Sequence, residues 1–139
     1  MSAVRIQDPD SKVQHTTSVR AGGTIAKGSV VKIDPTDTTD FAEVVVLGTS
    51  ELVGRGVGVA LADAVDGDEL LICYRGVCDV LVDGTADVSI GDLLVASAGT
   101  AGELIKDGTP AVADVNQFVS PLEAQATDDG TLTKCFVRF

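Results

Sequence analysis

Turn sequences cut this chain so often that no long regular element fits between them. Asp34-Pro35-Thr36-Asp37, Asp66-Gly67-Asp68, Asp83-Gly84, Ala98-Gly99-Thr100-Ala101-Gly102 and Asp128-Asp129-Gly130 each combine residues that set or tolerate turn dihedrals. The stretches between them are short and rich in Val, Ile and Leu, the pattern of β-strands. Strands are expected near residues 29–33, 42–47, 55–60, 69–74, 77–82, 93–96, 109–113 and 133–139. Cys78, Val80 and Val82 alternate with Asp79, Leu81 and Asp83, which marks a strand with one buried face. The acids are 16 Asp to 5 Glu. Asp favours turns and caps where Glu favours helix interiors, so the acidity is mostly turn chemistry.

Helix is scarce. The candidates are residues 61–65 and 121–126, the latter with Ser120 as N-cap before Pro121 at the first helical position. The expected class is all-β: a compact small β-barrel or sandwich with one or two short helical turns. A length of 139 residues suits one domain, and 45% hydrophobic residues supply a core. With four Phe, one Tyr and no Trp, that core must be built from Val, Leu and Ala. Such a core buries modest area per residue, so oligomerisation or docking is expected to add stability.

The glycines also repeat. Gly28 and Gly67 are 39 residues apart, as are Gly91 and Gly130, an offset of 63 that Arg75 and Arg138 share. Gly28 and Gly91 each open a strand, whereas Gly67 and Gly130 each follow an Asp and precede one. This spacing suggests a duplicated, pseudo-two-fold domain.

The formal net charge is −11. It argues against nucleic acid as a partner, because phosphate contacts need Lys and Arg to displace counterions. Apolar runs stay far below the ~20 residues of a membrane span, and no basic start leads into an apolar stretch, so neither membrane nor export signal is expected. The charge is unevenly placed. Residues 1–33 carry five Lys and Arg against two Asp, a balance of +3, and residues 34–139 carry five against 19 acids, a balance of −14. Residues 1–20 are polar and weakly patterned and read as an extended N-terminal arm on a single β domain spanning 21–139. Within the arm, residues 13–19 are rich in Thr and Val and could form an edge strand. An arm of this kind can add a strand to a partner sheet, with Val13 and Val19 as anchors.

Catalytic constellations are not apparent. The only histidine, His15, sits in the polar arm with no nucleophile beside it in sequence, and no GxSxG occurs. Asp34, Asp37 and Asp40 lack the alternation of a calcium loop, and Asp63, Asp66 and Asp68 are accounted for by a turn. Gly54-Arg55-Gly56-Val57-Gly58 completes no phosphate-binding pattern. Cys73, Cys78 and Cys135 lack the paired spacing of a zinc site and read as buried, reduced thiols. Around Arg75-Gly76 two local structures are open. A hairpin would set Cys73 against Cys78, and a bulge at Gly76 would let one strand continue. The expectation is a non-enzyme with no cofactor and no metal.

The order of segments carries a resemblance. Ala21-Gly22-Gly23-Thr24-Ile25-Ala26-Lys27-Gly28-Ser29-Val30-Val31 is followed by Val57-Gly58-Val59-Ala60-Leu61-Ala62-Asp63-Ala64. Ile90-Gly91-Asp92-Leu93-Leu94-Val95 comes next, and the chain closes with Pro121-Leu122-Glu123-Ala124 and Cys135-Phe136-Val137-Arg138-Phe139. This resembles the capsid cement, or head decoration, proteins of tailed bacteriophages. Phe118-Val119-Ser120-Pro121 stands where that family commonly has a glycine. The resemblance implies a virion protein made in the bacterial cytoplasm that binds the outer capsid surface and stabilises the head against internal DNA pressure. It implies the major capsid protein as partner and a homo-oligomer, a trimer above all. Arg5, Val13, Thr16, Thr17, Val19 and Arg20 are then the expected contacts to the capsid or to other copies. A tail or head-fibre β domain is the next reading, and a ligand- or metal-binding β-barrel the third.

Overall fold

The computed structural model describes residues 14–36, 43–108, 118–126 and 130–139. Among these residues nine strands form one continuous sheet: β1 (Gln14–Ala21), β2 (Val30–Ile33), β3 (Glu43–Val46), β4 (Gly56–Ala60), β5 (Glu69–Asp83), β6 (Leu94–Ala96), β7 (Leu104–Lys106), β8 (Val119–Pro121) and β9 (Thr131–Arg138). The all-β expectation holds. The single helical element among the described residues is a 3₁₀ turn at Val53–Arg55.

Neither stretch expected to be helical is a helix. Residues 61–65 form a loop in which Ala64 exchanges two backbone hydrogen bonds with Ile25, at 2.9 and 2.8 Å. Of the second stretch, Pro121 ends β8, with Val119 facing Val137 and Pro121 facing Cys135 across the ladder. Burial of Val119 and Pro121 against β9 outweighs the local capping signal, and proline is tolerated in so short a strand near a sheet margin. The strand expected near residues 109–113 lies outside the described residues, as do Asp37 and Asp40.

The first five strands close a ring. β1 pairs with β3, β3 with β2, β2 with β4, β4 with β5, and the first part of β5 returns to β1. The second part of β5 starts an equivalent arrangement, pairing with β7 and β9, while β6 pairs with β7 and β8 with β9. β5 therefore runs 15 residues through both units. The open question at Gly76 resolves as a continuing strand, with Gly76 at φ +117. Cys78 consequently faces Cys135, and not Cys73, across the ladder.

The duplication suggested by glycine spacing is visible in the backbone at Gly28 and Gly91, whereas Gly67 has a positive φ of +89 that Gly130 does not share. Gly28 and Gly91 have φ of +88 and +85, a region that a Cβ disfavours. The Ile25–Ala64 bridge recurs as Val88–Gln125, again with two hydrogen bonds, at 2.8 and 2.9 Å. The Ser29 N–H donates to the Ala26 carbonyl and the Asp92 N–H to that of Ser89, both at 3.1 Å. The pairing Val59–Cys73 recurs as Ser120–Phe136, and Ala60–Ile72 as Pro121–Cys135. In this correspondence β1 matches the second part of β5, and the first part of β5 matches β9.

Two apolar clusters fill the units. Ala21, Ile25, Val31, Val44, Leu70 and Ile72 are among the residues that pack the first. The second gathers Cys78, Val80, Val82, Leu104, Cys135 and Val137, together with Val30, Leu47 and Val59 from the first unit. Each fully buried Ile or Leu there contributes roughly 1.5–3 kcal/mol relative to exposure. Because Val30 and Val31 point to different clusters, β2 joins the two cores. Backbone bonds add to this seam: Leu81 N–H to the Gly28 carbonyl at 2.9 Å, and Val30 N–H to that of Gly102 at 3.0 Å.

Candidate interaction surface

Of the residues expected to make contacts, Arg5 and Val13 lie outside the described residues. Thr16, Thr17, Val19 and Arg20 all lie on β1, which is laddered to β5 from Gln14–Gly76 to Arg20–Glu69. Thr16, Thr17 and Arg20 are exposed, whereas Val19 is half-buried against the first core cluster. The stretch read as an arm thus has residues 14–20 within the domain's own sheet.

β1 forms one wall of an open groove of about 410 Å³. Its lining includes Thr17 and Val19 of β1, Ile33 of β2, Val57 of β4, and Ile72 and Tyr74 of β5. Ile33 is 53% exposed and Tyr74 36%, so apolar surface remains open to water there. Phe139 closes one side, its N–H donating to the Tyr74 carbonyl at 2.8 Å. The Phe139 ring also stacks on Phe118, with centroids 6.1 Å apart and planes 12° apart.

A row of basic side chains starts beside Tyr74, one of the residues lining this groove. The His15 ring lies 6.0 Å from the Tyr74 ring, centroid to centroid. In register, Arg75 is opposite His15 on β1 and opposite Arg138 on β9. All three are exposed. Residues directly opposite in a ladder share a face, so imidazole and two guanidiniums align across three strands. Residue spacing alone pairs Arg75 with Arg138. It carries no sign of the groove, because Ile33, Val57 and Tyr74 come together only through the ring closure.

Glu51 and the three cysteines serve the fold instead. Glu51 Oε1 accepts from Lys32 Nζ and from the Gly48 N–H, each at 2.6 Å, and Oε2 accepts from Arg55 Nη1 at 3.4 Å. The Lys32 hydrogen bond, then that of Gly48, hold its carboxyl below the usual range. Cys73, Cys78 and Cys135 are free thiols with no exposure. Burial raises Cys78, with further contributions from Cys73 and Cys135, and burial followed by the Glu123 and Asp79 charges pushes Cys135 up to about 12. Such thiols are poor nucleophiles and poor ligands. Among the described residues, no three His, Cys, Asp or Glu side chains gather to hold a metal ion. No helix there is long and apolar enough to cross a membrane.

Neither a protein-family model nor a curated protein matches this sequence. Its fold does match a solved one. The head fibre gp8.5 N base of bacteriophage phi29 superposes with a TM-score of 0.60, covering 90% of this chain and 94% of that one. The two sequences are 17% identical, so the likeness is one of fold.

Proposed function

We propose that this protein is a structural component of a tailed-phage virion, a homotrimer that binds the major capsid protein on the outer head surface. There it stiffens the shell against packaged DNA by buried interface, without catalysis. The observation that carries this reading is the shared fold over almost the full length of a phage head-fibre base. The resemblance of its segment order to head decoration proteins points the same way. A groove and basic row on an otherwise acidic surface suit protein docking and offer nothing to phosphate-rich DNA as a whole.

Because the solved neighbour is itself a head-fibre base, a second reading is that this chain forms the base of a head fibre. Such a base shares the head surface but serves attachment of a projecting structure. Both readings predict cosedimentation with expanded, undecorated shells of the phage that encodes the protein. Failure to bind intact shells overturns both. Imaging of bound particles then separates them. Decoration places copies across the shell lattice and raises the temperature at which filled heads release DNA. A fibre base leaves that temperature unchanged and carries further density.

A further inference from the structure

We infer that the protein self-associates head to tail, the acidic turn at residues 65–68 of one copy seating in the basic-rimmed groove of the next. The inference deepens the homo-oligomer part of the proposed function. It is tested on purified protein alone, so its failure is distinct from failure to bind shells.

Both surfaces belong to the first ring, and the basic rim lies at the far end of the first part of β5 from the turn. β5 begins at Glu69 beside the turn and reaches Tyr74 and Arg75 beside the groove. At ~3.3 Å per residue Arg75 lies about 20 Å along the strand from Glu69, so a copy's own turn cannot reach its own basic rim. The turn is fixed by hydrogen bonds, and its Val65 and Asp68 stand at an open hollow shared with Thr24 and Ile25. The Lys27 N–H binds Asp63 Oδ1 at 2.7 Å, and the Val65 N–H binds Asp68 Oδ2 at 2.9 Å. Gly67, at φ +89, donates its N–H to the Ala21 carbonyl at 2.8 Å. These bonds hold Val65 out at 57% exposure, with Asp66 exposed beside it.

Shape and charge are complementary. An apolar tip flanked by carboxylates meets an open groove with exposed Ile33 and Tyr74, bordered by His15, Arg75 and Arg138. Among the described residues neither His15 nor Arg75 has a carboxylate partner of its own. At a net charge of −11, two copies repel in most orientations, and this contact is one where opposite charges meet. Unlike surfaces meeting in this way make a heterologous contact, which closes into a ring or extends into a filament according to the rotation per step.

Sedimentation velocity and native mass spectrometry at tens of micromolar test it. Wild type is expected to associate, less so as salt rises. Arg75→Glu with Arg138→Glu, and separately Asp66→Lys, each weaken association by about tenfold or more. Combining all three substitutions in one chain regains it, because the reversed turn then meets a reversed groove at every contact, whatever the size of the ring. That recovery also shows that the substituted chains fold. A wild-type monomer overturns the inference, as do single-surface variants that associate normally or a combined variant that does not recover. Normal association combined with lost shell binding in the arginine variant would assign the groove to the capsid instead.

Discussion

Alanine at Gly28 and at Gly91 probes the duplication directly, because the two glycines occupy equivalent positions with unequal surroundings. Both sit at positive φ, +88 and +85, where an L-residue costs ~1–2 kcal/mol. At Gly91 nothing lies within 4 Å of an added Cβ, so Gly91→Ala should cost only that amount. At Gly28 the same Cβ would stand 2.5 Å from Leu132 Cδ2, 3.1 Å from the Leu81 nitrogen and 3.2 Å from Leu81 Cγ. Leu132 is 39% exposed and can swing aside. The Leu81 nitrogen cannot, since its N–H is bonded to the Gly28 carbonyl at 2.9 Å. Overpacking of this kind adds ~1–3 kcal/mol, giving about 2–5 kcal/mol for Gly28→Ala. The difference has a structural origin. Gly28 packs against the strand that opens the second unit, and Gly91 has no third unit to meet.

Unfolding in urea at one fixed protein concentration reads both variants, provided m is unchanged. By calorimetry, ~2.1 cal/mol/K per residue over 139 residues converts to roughly 3 °C per kcal/mol. Gly91→Ala should then lower the midpoint by roughly 3–7 °C and Gly28→Ala by roughly 7–17 °C. Equal losses, or a larger loss at Gly91, would refute the assignment of Gly28 to the seam between units.

Other consequences concern the titratable groups. In the native protein Cys73, Cys78 and Cys135 should not react with a small disulfide reagent, and all three should react once it is unfolded; a thiol that reacts in the native state would contradict their burial. Because the folded Cys135 pKa is raised from 9.0 to about 12, its contribution is complete below pH 9 and is lost as pH rises through 12. Stability should therefore fall above pH 9 by up to ~1.4 kcal/mol per pH unit for each such thiol, and Cys135→Ala should flatten that fall. Glu51 has the opposite sign: its folded pKa lies below 4.5, so its contribution is present above 4.5 and lost as the carboxyl protonates in acid. Glu51→Gln should lower the neutral-pH midpoint and reduce its dependence on acid, and an unchanged acid profile would show that the Lys32 and Gly48 contacts contribute nothing.

What the sequence discloses here follows from how local each determinant is. Gly28 and Gly91 were legible because a positive φ demands glycine, so backbone geometry wrote the repeat into residue identity. The strands β2 to β6 and β9 were legible from Val- and Leu-rich runs between turns. β7 and β8 were not, since three residues carry too little pattern and their pairing partners lie elsewhere in the chain. The Ser120-Pro121 capping signal was sound locally and lost to a ladder with β9 that no local window contains. The groove fails for the same reason. Its walls come from β1, β2, β4 and β5, and only ring closure brings Thr17, Ile33 and Val57 together.

The duplication also explains why positive charge gathers at one place in an acidic chain. β5 passes from one unit to the other without a break, so the end of its first part lies beside the end of β9, its own repeat equivalent. Any side chain at that repeat position is therefore presented twice, in neighbouring positions on one face. Here the position holds Arg75 and Arg138. Like charges directly opposite disfavour a ladder by up to ~1 kcal/mol. Arg138 already has an interaction within the fold, so an approaching carboxylate would be met chiefly by Arg75. Replacing Arg75 by Gln should then raise the unfolding midpoint slightly while weakening whatever contact the groove makes. A change that lowered stability and left association and shell binding intact would mean that the arginines serve the ladder and not a partner.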